Sequence, residues 1–329
     1  MSPPLSPQRI GELAWGYAAP LLIEAAVKLG AFDALQHGPL ALEELARSTR
    51  TSPRGLRALA DALVGLDLLA REGPRYGLTP ESDAFLVRGR AGWRGGVFEQ
   101  VSRRIVDRWL KLQESVRTGR PVESVNREEV GVPFFSEFVE SLYPVNAEAA
   151  EAAARELPGP GVTRVLDLAA GSGVWSVPFA RRGATVTAVD WPDVLAITRR
   201  VVEREGVAAR YRFVGADLLE ADPGAGHHVA LLGHILHSEG ERRSRALLSR
   251  VHDALAPGGA VVIAEFVVDD DRRGPLVPLL FAVNMLLHTD EGDAFTRGQL
   301  EGMLRDAGFV EPRWLDAPAV SPLLIARRG

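Results

Sequence analysis

The chain has 329 residues, 46% hydrophobic and 25% charged, with 38 Lys+Arg against 43 Asp+Glu for a formal net charge of −5. Such a composition describes a globular protein long enough for two domains and excludes disordered and collagen-like polymers. It also lacks the basic excess that drives whole-protein binding to nucleic acid or to an anionic membrane. Cysteine is absent, which excludes a disulfide framework, a thiolate nucleophile and Cys-ligated zinc or iron–sulfur sites, and no tight carboxylate cluster points to any other metal.

The first residues, Met1-Ser-Pro-Pro-Leu-Ser-Pro, carry neither a basic segment nor an apolar run, so no signal peptide is expected. The longest apolar stretch, Pro275 to Leu287, is too short to span a bilayer and is interrupted by Asn284; a cytoplasmic protein with no membrane span is expected. From Arg9 to Leu86 apolar residues recur at helical spacing between turn signals such as Gly38-Pro39 and Gly73-Pro74. A helix is predicted from Ser52, a good N-cap followed by Pro53, with Leu56, Leu59, Leu63 and Leu66 on one face. Residues 68–70 and 76–78 bracket a small hairpin. Helices followed by a hairpin make a winged helix-turn-helix over residues 1–95. Those residues hold 11 Lys+Arg and 10 Asp+Glu, too few net charges for phosphate neutralisation, which favours packing or dimerisation over DNA binding.

Residues 96–160 read as a helical linker with Phe134, Phe135 and Phe138 among its apolar anchors. The break Leu157-Pro-Gly-Pro-Gly161 places a domain boundary, and residues 161–329 then alternate short β-branched runs with helices. Strands are predicted over 165–169, 185–189, 211–214, 229–232 and 260–266. That pattern implies an α/β, doubly wound parallel sheet, which binds ligand at the carboxyl ends of its strands.

Four strand ends carry polar residues. The first runs Val165-Leu-Asp-Leu-Ala-Ala-Gly-Ser-Gly173 into a helix, with Gly171 and Gly173 allowing close backbone approach to a ligand. A dinucleotide fingerprint needs a third glycine where Ser176 stands, and Asp167 in the turn suits the ammonium and sulfonium of S-adenosylmethionine better than a phosphate. At the second strand end, Asp190 is placed to take ribose hydroxyls and Trp191 to cover adenine. Asp217, before Leu218, suits the adenine amino group. His237 follows the fourth strand as a candidate general base for a hydroxyl or phenol, while His234 either lines the same site or packs as a buried polar residue.

The blocks VLDLAAGSG, AVDWP, GADL, ILHS, LAPGG and NMLLHTDEGDAFTRGQLEGMLRDAGF, in this order, resemble the class I S-adenosylmethionine methyltransferases. More narrowly they resemble the O-methyltransferase family that includes caffeate, acetylserotonin and bacterial polyketide methyltransferases. The front segment, with AVKLGAFDAL and ALVGLDLLARE, is similar to that family's winged-helix dimerisation domain. The resemblance implies a homodimer acting on a small molecule, without nucleic acid or membrane. It implies that Asp167, Gly171, Gly173, Asp190 and Asp217 hold the cofactor, released as S-adenosylhomocysteine, and Trp191, Leu218 and His234 are the further candidate cofactor contacts. His237 falls on the catalytic base, with Asp290 or Glu291 as the carboxylate at its other nitrogen. Asn284 matches a position of the family that faces substrate, and the linker aromatics Phe134, Phe135, Phe138 and Tyr143 are expected to wall an apolar substrate pocket. The expected reaction is O-methylation of an aromatic or polyketide-like acceptor; C- or N-methylation, or a non-methylating reaction on the same scaffold, are the alternatives.

Overall fold

The computed structural model describes residues 6–136, 138–157, 162–317 and 321–329. It divides into two compact units, residues 1–107 and 108–329. In the first, strands β1 (Leu40–Ala41), β2 (Leu69–Glu72) and β3 (Arg75–Leu78) form an antiparallel sheet in the order β1-β3-β2. The helix Pro53–Gly65 packs beside it, with Ser52 Oγ accepting from the Gly55 N–H at 3.1 Å and Leu56, Ala60 and Leu63 buried. Leu66, expected on the same face, is exposed because it lies past the last helical turn.

The run Gln8–Lys28 is 21 residues long and apolar enough to cross a membrane by length and composition, which corrects the expectation that no segment meets that test. It is not one continuous helix: Gln8–Leu13 and Ala18–Lys28 are separated by a turn, and Ala26 and Val27 lie in this unit's core.

In the second unit seven strands form one sheet. Strands β4 (Arg164–Leu168), β5 (Thr185–Asp190), β6 (Tyr211–Gly215), β7 (His227–Gly233) and β8 (Leu255–Ala264) are parallel. The short β9 (Val267–Val268) and β10 (Phe295–Thr296) pair apart from them. Strands β11 (Phe309–Leu315) and β12 (Leu323–Arg328) complete the order β11-β12-β8-β7-β4-β5-β6, each antiparallel to its neighbour. The last two strands were not expected. Strand β11 carries Pro312 and is largely exposed, the character of an edge strand, so its sequence shows no buried apolar alternation. The order reverses between β4 and β7, the switch point where such sheets bind ligand.

Side chains alternate across each strand, so β4 sends Val165 into one core layer and Leu166 and Leu168 into the other. The first layer is closed by the helix Tyr143–Glu156, whose Ala149, Ala150, Ala153 and Ala154 are buried against the sheet. That packing joins residues 108–157 to the second unit instead of leaving them a separate linker. The boundary expected at 157–161 falls, from 158 on, outside the described residues.

The helix Leu236–Ala254 is broken at Gly240, which has φ 70° and ψ 173°. Only glycine occupies that region at low cost, and a Cβ there would lie 2.4 Å from the Glu291 carbonyl oxygen. The break follows His237 by one turn and sets where the rest of the helix runs. Gly240→Ala should therefore destabilise the protein by about 1–3 kcal/mol from backbone strain alone, read as a lower urea midpoint with an unchanged slope; an unchanged midpoint would contradict this constraint.

Candidate active site

Parallel pairing brings the carboxyl ends of β4, β5, β7 and β8 to one edge of the sheet. At the end of β4, Asp167 is fully buried. Its Oδ2 accepts from Ser176 Oγ at 2.5 Å, and Ser176 Oγ in turn lies 2.9 Å from the Tyr211 hydroxyl. Its Oδ1 is buried without a partner among the described residues. Burial pushes the Asp167 carboxyl up to about 7; the Ser176 bond opposes the rise and the Asp190 charge adds to it.

The turn that follows is built for close approach. Gly171 has φ 54°, and a Cβ there would meet Val139 Cγ2 at 2.8 Å. Its N–H donates to Asp190 Oδ2 at 2.9 Å, while the Trp191 N–H donates to Asp190 Oδ1 at 2.8 Å. The strand-end acid thus braces the glycine turn and keeps one acceptor lobe free on each oxygen. Burial raises the Asp190 carboxyl to about 6, against the pull of the two backbone bonds. The helix Glu128–Ser136 crosses Trp191 so closely that a Cβ on Gly131 would lie 2.4 Å from the indole.

An orphaned buried carboxylate oxygen, a glycine turn that a side chain would fill and a braced acid at the next strand end suit S-adenosylmethionine. Its ammonium needs an acceptor, its amino-acid end needs close backbone, and its ribose offers two hydroxyl donors. Asp217 has less free capacity: Oδ1 accepts from the Leu219 N–H at 2.8 Å and Oδ2 pairs with Arg243 at 3.1 Å. Leu218 packs on the core beside it. His234 is packed and also stands beside His237, their ring centroids 6.3 Å apart. The His234 ring lies between Trp175 and Phe266, Nε2 bonds Ser321 Oγ at 2.8 Å, and burial lowers its pKa to about 4, so it is neutral at pH 7. It offers the cofactor no charge.

His237 stands at the start of its helix with its side chain 11% exposed. Its Nδ1 lies 2.7 Å from Glu265 Oε2, and its backbone N–H donates to Glu265 Oε1 at 3.1 Å. Glu265 follows β8 and is buried; burial alone would raise its pKa, but the His237 imidazole holds it below the ordinary carboxylate value. An ionised acceptor at Nδ1 fixes the proton there and leaves the lone pair on Nε2. Phe281 meets the imidazole edge-on at 4.8 Å between centroids, and Phe266 stacks on Phe281 at 4.1 Å.

This corrects the expected carboxylate partner. Asp290 Oδ2 instead accepts from Ser124 Oγ at 2.7 Å, and Glu291 forms an exposed pair with Arg242 at 3.3 Å. Both follow the helix Leu276–His288 and are held by other segments, so neither carboxylate meets His237 Nδ1. Phe134 and Phe138 do come together, at 5.6 Å, and Phe134 lies 5.4 Å from His288. Asn284 is near them in the fold, its Oδ1 accepting from Trp109 Nε1 at 3.3 Å. Tyr143 is elsewhere: it packs on the alanine-faced core layer with Arg204 5.9 Å over its ring. Sequence reasoning missed Glu265, Phe266, Phe281 and Ser176. A lone charged residue closing the apolar run Ala260–Phe266 was the available signal for Glu265.

An O-methyltransferase domain matches residues 109–310 and an O-methyltransferase dimerisation domain matches residues 12–88. The chain is 32% identical to the tetracenomycin polyketide synthesis 8-O-methyl transferase of Streptomyces glaucescens, over 98% of this chain and 97% of that one. It is 33% identical to the 3-hydroxy-5-methyl-1-naphthoate 3-O-methyltransferase of Streptomyces sahachiroi, over 93% and 90%. Among solved structures, human N-acetylserotonin methyltransferase in complex with S-adenosylmethionine superposes with a TM-score of 0.84 at 25% identity, over 100% of this chain and 99% of that one. The chain belongs to the O-methyltransferase family, with that family's dimerisation domain in front, and is an S-adenosylmethionine-dependent O-methyltransferase.

Proposed function

We propose that this enzyme methylates a hydroxyl of an aromatic, polyketide-like small molecule in the cytoplasm, with His237 as general base. The observation that carries this reading is the buried His237–Glu265 pair flanked by Phe266 and Phe281. The names of the two Streptomyces relatives, which specify a polyketide and a hydroxynaphthoate, support the acceptor class.

When bound, S-adenosylmethionine supplies a methyl group on a sulfonium, already a good leaving group. Asp167 Oδ1 and the glycine turn hold its amino-acid end, and Asp190 takes the ribose hydroxyls on the lobes that Gly171 and Trp191 leave free. Asp217, beside Leu218, receives the adenine amino group with what Arg243 and Leu219 leave to it. Phe134 and Phe138, with Asn284, wall the acceptor. His237 Nε2 removes the acceptor's hydroxyl proton, and Glu265 stabilises the imidazolium that forms. Alignment contributes most of the rate, and the base adds about 10²–10⁴-fold.

Incubation with S-adenosylmethionine and a hydroxynaphthoate should release S-adenosylhomocysteine in step with methyl ether; modified acceptor without S-adenosylhomocysteine would sink this reading. His237→Ala should lower kcat by tenfold or more while the Kd for S-adenosylhomocysteine stays within about twofold. Glu265→Gln should also lower kcat, because a neutral amide stabilises the imidazolium less. Unchanged turnover in His237→Ala would exclude it as the base.

Cofactor affinity should depend on pH through Asp167. A cationic ammonium binds the ionised carboxylate, so protonation competes with binding below the raised pKa of about 7. The Kd for S-adenosylhomocysteine should be level above pH ~7.5 and rise towards tenfold per unit below pH ~6.5. Titration calorimetry from pH 5.5 to 8.5 reads this, and a flat profile, or one that Asp167→Asn leaves unchanged, would contradict it.

The homodimer is assigned to the first unit. There Ile10, Leu13, Trp15 and Tyr17 are each 60% exposed or more, an apolar surface that a second copy would cover. Leu13→Glu with Trp15→Glu should convert a dimer to a monomer in light scattering; a wild-type monomer would overturn the assignment.

A further inference from the structure

The helix Tyr143–Glu156 is alanine-lined where it meets the sheet, with one exception. Asn146 is 4% exposed, on the same face as Ala149, Ala150 and Ala153. Its Nδ2 donates to the Leu142 carbonyl at 3.3 Å, and its Oδ1 is buried with no partner among the described residues. The amide orientation follows from that bond, since the flipped form would set two oxygens against each other. An unpaired amide oxygen in an alanine interface is costly, and packing gives no reason for it.

Its position gives one. Side-chain alternation on β4 puts Asp167 on the same face as Val165, and Val165 belongs to the core layer that the helix alanines close. Val139, one turn before the helix, touches the position a Cβ on Gly171 would occupy, so the helix begins over the glycine turn. Tyr143, one turn before Asn146, packs on this layer with Tyr211, whose hydroxyl bonds Ser176, the residue that fixes Asp167. Two of the buried, unpaired oxygens among the described residues, Asp167 Oδ1 and Asn146 Oδ1, therefore belong to the same end of the same layer.

We propose that Asn146 is a further cofactor contact, its Oδ1 accepting a hydrogen bond from the ammonium at the amino-acid end of S-adenosylmethionine, alongside Asp167. An ammonium has three N–H donors, enough for both oxygens. The inference rests on the reading that Asp167 faces that ammonium. Asn146 acts on affinity and on the placement of the sulfonium, and takes no part in proton transfer.

The test compares two ligands that share nucleoside and thioether. S-adenosylhomocysteine has the amino-acid end, and 5′-methylthioadenosine does not. In calorimetry, Asn146→Ala should weaken S-adenosylhomocysteine on the order of tenfold, the usual scale of a charge-assisted hydrogen bond. Binding of 5′-methylthioadenosine should stay within about twofold. Asn146→Leu, close in shape but without the acceptor, should repeat the result, and it supplies the measurement if the alanine variant loses its native near-UV signal. Equal weakening of both ligands, or S-adenosylhomocysteine affinity retained, would overturn the proposal. Asp167→Asn separates the two readings. If it leaves the ratio of affinities unchanged, the placement of the ammonium at Asp167 fails, whereas a ratio that changes in Asp167→Asn but not in the Asn146 variants overturns the present inference alone.

Discussion

A carboxylate buried at the end of the central strand, with one oxygen bonded and the other without a partner among the described residues, is the constraint on which the proposed cofactor site depends. Asp167 Oδ2 accepts from Ser176 Oγ, and Oδ1 is buried and unpaired. Its raised pKa has a definite thermodynamic sign. The unfolded chain ionises this carboxyl near 3.8 and the folded one near 7, so between those values the unfolded state holds fewer protons and stability falls as pH rises. At neutral pH the ligand-free fold therefore carries a charge it does not fully accommodate. In the proposed reading, the ammonium of S-adenosylmethionine offsets that cost, and the same electrostatic deficit becomes affinity.

The reacting side is organised by strand register. Strands β7 and β8 are adjacent and parallel, with Gly233 opposite Ala264, so the residues just beyond them, His237 and Glu265, emerge side by side. The imidazole is held twice, by its own backbone N–H and by Nδ1, both on one carboxylate. Gly240 then turns the helix away, and the loop containing Glu291 fills the space its missing side chain leaves. Nδ1 is committed to Glu265, which leaves Nε2 for the base role proposed for His237.

Much of this was legible in the sequence. Five strands of the sheet fell within a few residues of their observed bounds, because buried parallel strands read as short β-branched runs. Gly171, Asp190 and His237 were found because they directly follow such runs. Glu265 was not, although it also follows one. Its run begins at the turn Ala256-Pro-Gly-Gly259, which reads as structural, and nothing local marks the next residue as paired with a histidine 28 positions earlier. The expected partners, Asp290 and Glu291, came from a family resemblance in a segment whose spacing is irregular. Strand pairing, which the one-dimensional pattern does not contain, decides between these carboxylates. Aromatic residues along 134–143 look alike in sequence, but the helix that begins at Tyr143 packs this one on the alanine-faced layer, whereas Phe134 and Phe138 pack on each other and Phe134 on His288.

Asp290 nonetheless has a place in the site's architecture. Its carboxylate binds Ser124, its N–H donates to Asn126 Oδ1, and Asn126 Nδ2 donates to the carbonyl of Ser238, next to His237. The Val122 and Val125 N–H groups bond the carbonyls of Leu287 and His288. Residues 122–126 are thus stitched to both segments that flank the base. The Phe134–Phe138 pair, proposed above to wall the acceptor, follows directly from this strap, and Gly131, between strap and pair, packs against Trp191. One continuous stretch of chain, fastened beside His237 at one end and over Trp191 at the other, therefore borders both the proposed acceptor wall and the proposed cofactor turn. Substitutions in residues 122–143 alter that wall while Asp167 and Glu265 keep their partners Ser176 and His237, which lie outside the stretch.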